Sequence, residues 1–462
     1  MNSHALSRIV SSLKQVVSRV ALCGLLGSTL AVCAAPQPTV FAGLHKFPMG
    51  FRPYRGLTLG PDNVLYGCTA RGGNDDRGTV YRINRDGTGY AIIHHFSTND
   101  QGPVASRDFP GPYVIRGRDG LLYGITHLET GGGKIFKLNR DGSGYTVLHT
   151  TSQNQSPFAL MQGNDDVLYG GGLECVFRID TDGGNFATLH TFDSPSEGSG
   201  AMGRLVEDDD GNLYGTCYYQ GPTTSGTIFK LNKNGAGFTV LHSFTNSTTG
   251  GRPYAGLTLA RNGKLYGVGF LGGSNNLGVI FRLNTDGSDY TILHHFGSIA
   301  SDGFNPAGEL LTGLDGFLYG TTTTGGSNML GSVFRIGLEG NGYEILYSFV
   351  SSGNALFGPG AWLVQGPASN GSGILYGTTL SPGAEGVFAL IVNPPLSIAP
   401  TIRQSGGDPA VFWPAWALNY QLETTTDLVN GEWVPATNGI QVIGFLPTNV
   451  PSGSFFRLVW PE

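Results

Sequence analysis

Three sets of residues carry the types and spacings from which chemistry could be built. The first is a histidine series. His45, His94, His149, His190, His242 and His294 each follow Leu or Ile in a similar local setting, with Tyr347 in the seventh such place. Repeated imidazoles suggest a transition metal, but ligands must converge to about 2 Å from one ion. The second set is oxygen-rich. The turns at 84–87, 180–183 and 284–287 and the acidic run 207–212 resemble the first half of a calcium loop. Six to eight oxygens, including a distal acid, are needed for that metal, and none of these segments supplies the distal acid. The third set comprises Arg52, Arg71, Asp75, Asp76, Arg107, Asp108, Tyr218, Tyr219, Arg252 and Asp302. Their charged and phenolic side chains suit recognition of a polar ligand. No nucleophile elbow, zinc-protease helix, paired-cysteine motif or phosphate-cradling loop occurs. No catalytic residue, metal site or cofactor is therefore assigned.

These residues are positioned by an internal repeat. Leu-Tyr-Gly recurs with its tyrosine at Tyr66, Tyr123, Tyr169, Tyr214, Tyr266, Tyr319 and Tyr376, at intervals of about 45–57 residues. Around each copy lie four short runs rich in Val, Ile, Tyr and Phe, bounded by Gly, Asn and Asp, which is the strand signature. In residues 255–296 the predicted strands are 256–260, 264–270, 279–283 and 290–296, and Asp-Gly supplies the positive φ that the last hairpin needs. The seventh unit stops at Asn393-Pro394-Pro395 without a fourth strand, whereas 39–47 carries an orphan one with the same Leu-His-x-Phe ending. The expected fold is thus all-β: a seven-bladed β-propeller over 36–393, closed by its N-terminal strand.

That architecture sorts the chemical candidates. Fourth strands are outermost, roughly 14 Å beyond the first, so the histidines cannot meet on one metal and are expected to pack and hydrogen-bond between blades. The 1–2 and 3–4 turns share one face and are stereotyped. The 2–3 loops and inter-blade connections share the other and vary, notably at 71–77, 97–112, 193–202 and 218–225. Variable loops on a rigid scaffold are where binding is sought.

Composition agrees. With 74 glycines among 462 residues and only 13% charged residues, helical bundles are excluded; 40% hydrophobic residues exclude disorder. Net charge is −6. It becomes more negative once residues 1–34 are set aside. That segment, with Arg8, Lys14, Arg19 and an apolar stretch at 20–32, reads as a secretory signal cut before Ala35. Cys33 also opens a lipidation reading. A sparse acidic surface argues against nucleic acid as partner, and no later stretch suits a transmembrane segment. Cys68, Cys175 and Cys217 are expected as small buried hydrophobes, with a Cys175–Cys217 bridge left open.

The pattern Asp-Gly-x-Leu-Tyr-Gly-x-Thr, Gly-Gly, Gly-x-Val-Phe and Leu-His-x-Phe, clearest at 306–349 and 53–97, resembles the GloVer tandem-repeat family of exported bacterial proteins. The resemblance implies export and a repeat architecture, with no assigned activity. Residues 396–462 differ in composition, holding Trp413, Trp416, Trp433 and Trp460. Strands at 410–413, 420–424, 441–445 and 455–460 point to a small C-terminal β-sandwich domain. Trp413-Pro414, Tyr420-Gln421-Leu422 and Phe455-Phe456-Arg457-Leu458 resemble modules that trail many exported bacterial proteins. The functional expectation is an exported, non-enzymatic protein, secreted or held at the cell surface or in the periplasm. It would present the variable face to an extracellular glycan or protein. The alternative is a propeller enzyme, a hydrolase or lyase of extracellular polysaccharide.

Overall fold

The computed structural model describes residues 39–53, 55–99, 113–128, 131–246, 249–350, 362–366, 373–379 and 385–392, together with the backbone of five further strands between 401 and 459. The signal segment, Arg107, Asp108 and the strand expected at 441–445 lie outside the described residues. The fold is all-β, a seven-bladed propeller arrangement. Its helical content among the described residues is one 3-10 turn, Gln153–Gln155, and one short helix, Ser194–Glu197.

Six blades follow in chain order as antiparallel sheets, the first five of four strands and the sixth of five. Blade 5 is representative, with strands Thr258–Leu259, Lys264–Gly269, Val279–Asn284 and Thr291–His295. Blade 6 differs in that Gly303–Pro306 extends its inner edge beside Leu311–Thr312. In blade 7, Val364–Gln365, Gly373–Thr379 and Gly386–Val392 are joined by Val40–Lys46, which pairs antiparallel with the third strand from Val40 against Ile391 to Lys46 against Gly386. Beyond the propeller, Thr401–Ser405 pairs with Asp408–Phe412, and Gln421–Thr425 lies between Val434–Pro435 and Phe455–Val459.

The repeated residues explain the blade. The Leu-Tyr-Gly glycine lies opposite a third-strand aromatic: a Cβ on Gly267 would come 2.5 Å from Phe281. Its tyrosine reaches back to the 1–2 turn, as Tyr66 donates to Asp62 at 3.0 Å, Tyr123 to Asp119 at 2.6 Å and Tyr214 to Asp208 at 2.7 Å. The expected calcium-like turns are Asx turns: Asp86 accepts from Thr88 N and Asp286 from Ser288 N, both at 2.9 Å. In the acidic run, Glu207 pairs with Lys233 at 2.5 Å while Asp208 is held by Tyr214 and Asn212. The apolar core is divided among the interfaces between neighbouring blades. Tyr66, Cys68 and Val80 of blade 1, for example, meet Leu122 and Phe136 of blade 2. Each such fully buried side chain contributes about 1.5–3 kcal/mol. Cys68, Cys175 and Cys217 are buried and free, so the bridge left open above does not form.

The histidine series has one structural role. Each ring stacks on the aromatic that opens the fourth strand of the next blade: His45 on Tyr90 (3.8 Å between centroids), His94 on Tyr145 (4.0 Å), His149 on Phe186 (3.7 Å), His190 on Phe238 (3.7 Å), His242 on Tyr290 (3.8 Å) and His294 on Tyr343 (3.6 Å). Tyr347 makes the seventh stack, on Phe41 (4.2 Å). Some of the rings also hydrogen-bond, His190 to Glu197 at 2.8 Å and His294 to Asp302 at 2.9 Å. At His45 and His242, Nε2 is buried without a partner.

Burial lowers the pKa of His242 to about 4 and moves His45 and His149 the same way. The folded chain therefore refuses a proton that the unfolded chain accepts below the usual value of 6.5. Stability from His242 is complete above pH 6.5, falls as pH drops towards 4, and levels off below that. We expect a loss of about 2 kcal/mol across this window. Urea midpoints measured from pH 7 to 4 should show it. His242→Phe, which keeps the stack, should flatten the curve, and an unchanged curve would refute the assignment.

Candidate functional site

Inter-blade connections and 2–3 loops lie on one face, and between blades 3 and 5 they enclose a cleft of about 400 Å³. Its walls include Leu173 and Glu174 from the 2–3 loop of blade 3, and Ser194 and Ser199 from the connection into blade 4. Tyr218, Tyr219, Gln220 and Thr224 come from the 2–3 loop of blade 4, and Arg252 from the next connection. The backbone sets these positions. Ser199 and Tyr219 form a two-way bridge at 2.9 Å, Gly221 N donates to Ser194 O at 3.2 Å, and Arg252 N donates to Ser225 O at 2.7 Å. Tyr218 and Tyr219 meet edge to face with centroids 4.7 Å apart, and Tyr254 abuts Tyr218 in the same manner at 5.6 Å. The exposed Arg252 guanidinium lies 5.9 Å from the Tyr218 ring centre.

Gln220, Thr224 and Arg252 all have positive φ, at 57°, 59° and 50°. Such values cost free energy in non-glycine residues and often mark functional sites. All three belong to the repeat: Arg52 (51°) and Asn305 (55°) match Arg252 in the Gly-x-x-Pro entry to the inner strand, Asp76 and Asn276 match Thr224, and Gly72 (83°), Gly272 (85°) and Gly325 (78°) match Gln220. Gln220 differs from these glycines in carrying a side chain, whose oxygen accepts from the Ser194 hydroxyl.

Three of the ten residues singled out from sequence, Tyr218, Tyr219 and Arg252, therefore share one cleft. Arg71 and Asp76 form a salt bridge at 3.1 Å in the 2–3 loop of blade 1, where Asp76 also accepts from Gly72 N at 2.7 Å; Asp75 is exposed beside them. Arg52 enters blade 1, its carbonyl accepting from Ala70 N at 2.9 Å. Asp302 is not a surface ligand: it is 1% exposed and its oxygens are occupied by His294, Tyr343 and the backbone of 297, 298 and 303. Burial alone would raise its pKa, but these hydrogen bonds hold it below the usual carboxylate range.

A second group, at the propeller axis, was not anticipated. The residue just before the first apolar position of each inner strand is Gly56, Tyr113, Ala159, Arg204, Gly256, Glu309 and Trp362 in turn. Contacts between non-neighbouring blades identify these positions as axial. Arg55 Nη2, from the entry to blade 1, donates to Phe158 O and Met202 O, before blades 3 and 4, at 3.1 and 3.2 Å. Arg204 crosses to Glu309: its backbone N donates to Oε1 at 2.9 Å and its Nε to Oε2 at 2.7 Å. Trp362 has the guanidinium carbons of Arg204 and Arg55 4.7 and 5.8 Å from its ring centre, and its Nε1 donates to Leu57 O at 3.2 Å. Glycine is required between the large residues: a Cβ on Gly256 would lie 2.8 Å from Glu309 Oε1, and one on Gly56 would enter the Trp362 indole. Because each inner strand starts from an inter-blade connection, this cluster sits at the variable-face end of the axis. Burial works against the Arg204 charge, and Glu309 beside it holds the guanidinium pKa above its usual value. Among the described residues, no three His, Cys, Asp or Glu side chains gather as metal ligands.

The fold and face define a β-propeller repeat protein with a walled surface cleft and a side-chain plug on its axis. The chain belongs to the Gloeobacter/Verrucomicrobia repeat family, whose model matches residues 33–174 and again 171–391. No curated protein matches it. Among solved structures it is similar to a catalytically inactive virginiamycin B lyase from Staphylococcus aureus with quinupristin, at 12% identity and TM-score 0.50, covering 77% of this chain and 99% of that one. It is also similar to an oligogalacturonate lyase in complex with manganese, at 10% identity and TM-score 0.51, covering 78% and 98%. At such identities the likeness is one of fold, and propellers of this kind host enzymes and binders alike.

Proposed function

We propose that this chain is an exported binding protein that holds an extracellular glycan or protein segment against the variable face, with the cleft of blades 3–5 as its seat. The observation that carries the reading is the grouping of Tyr218, Tyr219 and Arg252 in a walled cleft beside Ser, Thr and Gln side chains. Aromatic rings give a sugar or peptide an apolar face, and polar neighbours fix its orientation. The volume fits one or two sugar rings, which favours a glycan. The same reading takes Val40–Lys46 as the clasp of the ring and 396–462 as a separate small domain.

Glycan-array and pull-down binding should reveal a ligand. Tyr219→Ala and Arg252→Ala should each weaken it about tenfold or more while leaving the unfolding midpoint nearly unchanged. Equal binding by both variants would refute the cleft assignment. A second reading, an enzyme working at the axis, draws support from the convergence of Arg55, Tyr113, Arg204 and Glu309 there. Against it, both Glu309 oxygens accept from Arg204, which leaves this carboxylate poorly placed as a general base.

A further inference from the structure

The axis holds a cation that neither the cleft nor the blade packing accounts for. Arg55 is 7% exposed and lies among Tyr113, Trp362 and the backbone of two other blades. Its guanidinium is a planar cation with five N–H donors in a fixed fork. Two carbonyls occupy Nη2, but Nε is buried without a hydrogen-bond partner. Among the described residues no carboxylate pairs with it, because Glu309, the nearby acid, is engaged by Arg204. Two guanidinia thus share one indole with a single carboxylate, leaving one positive charge uncompensated. A buried charge without a partner is strongly destabilising, and a buried donor without an acceptor adds to that.

We propose that Arg55 anchors an axial site for a small carboxylate, whether a free acid or the acid group of a sugar. Such a ligand brings both the missing charge and the missing acceptor. Its two oxygens match the guanidinium fork in a paired way that a spherical anion does not reproduce. The Arg204 side chain is 36% exposed, so the axis is open to water on that side. This site is separate from the cleft of blades 3–5, and either can fail without the other.

The test uses the full chain and follows thermal unfolding at fixed ionic strength with acetate, glucuronate, chloride or glucose. Tryptophan emission at constant temperature, to which Trp362 contributes beside the four tryptophans of 396–462, is the second readout, compared between the wild type and Trp362→Phe. Acetate is expected to raise the midpoint saturably by about 2–4 °C and to change the emission over the same concentrations. A rise with glucuronate as well shows that a sugar-borne acid fits; a rise with acetate alone confines the site to small acids; both support it. Arg55→Met should abolish the response, and Arg55→Lys, which keeps the charge but loses the planar fork, should reduce it. No saturable effect of either carboxylate on the wild type, an equal rise with chloride, or a full response in Arg55→Met would overturn the proposal. Should Arg55→Met not fold, the wild type and Arg55→Lys decide.

Discussion

Glu309→Ala is expected to lower the unfolding free energy by about 3 kcal/mol, among the largest effects of any single polar substitution in this chain. Glu309 is 5% exposed, and its two oxygens accept three contacts from Arg204. Its removal leaves Arg204 and Arg55 facing one indole with no negative charge between them. The loss is held to this size because part of Arg204 reaches water. Arg204→Met with Glu309→Leu removes both charges and should recover most of it, as apolar replacements of buried pairs commonly do. Urea unfolding of the single and double variants measures this directly. Single and double losses that simply add would mean that the pair is not coupled.

The second large effect is expected at Asp302. Asp302→Ala should destabilise the propeller by about 3 kcal/mol, because it strips acceptors from the ring nitrogen of His294, the Tyr343 hydroxyl and three backbone amides at once. His294 belongs to blade 5 and stacks on Tyr343 of blade 6, so this one carboxylate ties a blade interface together. Asp302→Asn should recover only part of this, since its one remaining oxygen still accepts but its amide nitrogen cannot. The carboxylate has a depressed pKa in the fold, so its contribution is present above the ordinary carboxylate value and lost as pH falls through the lower folded value. Ligand binding by the folded fraction should be unaffected. If binding vanishes while the unfolding midpoint stays put, Asp302 is a ligand contact and not a tie.

The two residues show what a sequence read without a structure can and cannot carry. The repeated features were legible because repetition averages out accident: seven Leu-Tyr-Gly copies mark the second strands, and the Leu-His slots mark the outer edge where imidazoles stack pairwise. Tyr218, Tyr219 and Arg252 were legible as members of variable loops on one face. Asp302 was misread because an acid in an inter-blade connection looks solvated. Its burial depends on Tyr343, which arrives from the far end of the next blade. The axial group was missed for the opposite reason. Repeat matching attends to what the copies share, and Gly56, Tyr113, Ala159, Arg204, Gly256, Glu309 and Trp362 are where they differ most. The usable signal was large and small residues mixed at one fixed register, just before the first apolar residue of each inner strand. Arg55 was harder still, because it stands one place earlier and reaches across the axis.

The plug also bears on how such a molecule can change over time. Each repeat contributes one letter to the bore, at or just before the start of its inner strand and away from the histidine stacks at the outer edge. A substitution there alters the charge, width or polarity of the bore while the surrounding scaffold keeps its register. These seven positions thus form a short word, now spelling three small residues, two aromatics, one cation and one anion, whose letters change in concert because Arg204 needs Glu309 and the large side chains need their neighbouring glycines. Relatives that share the blades can diverge through this short word alone, and reading it in each would sort them by what their axes admit.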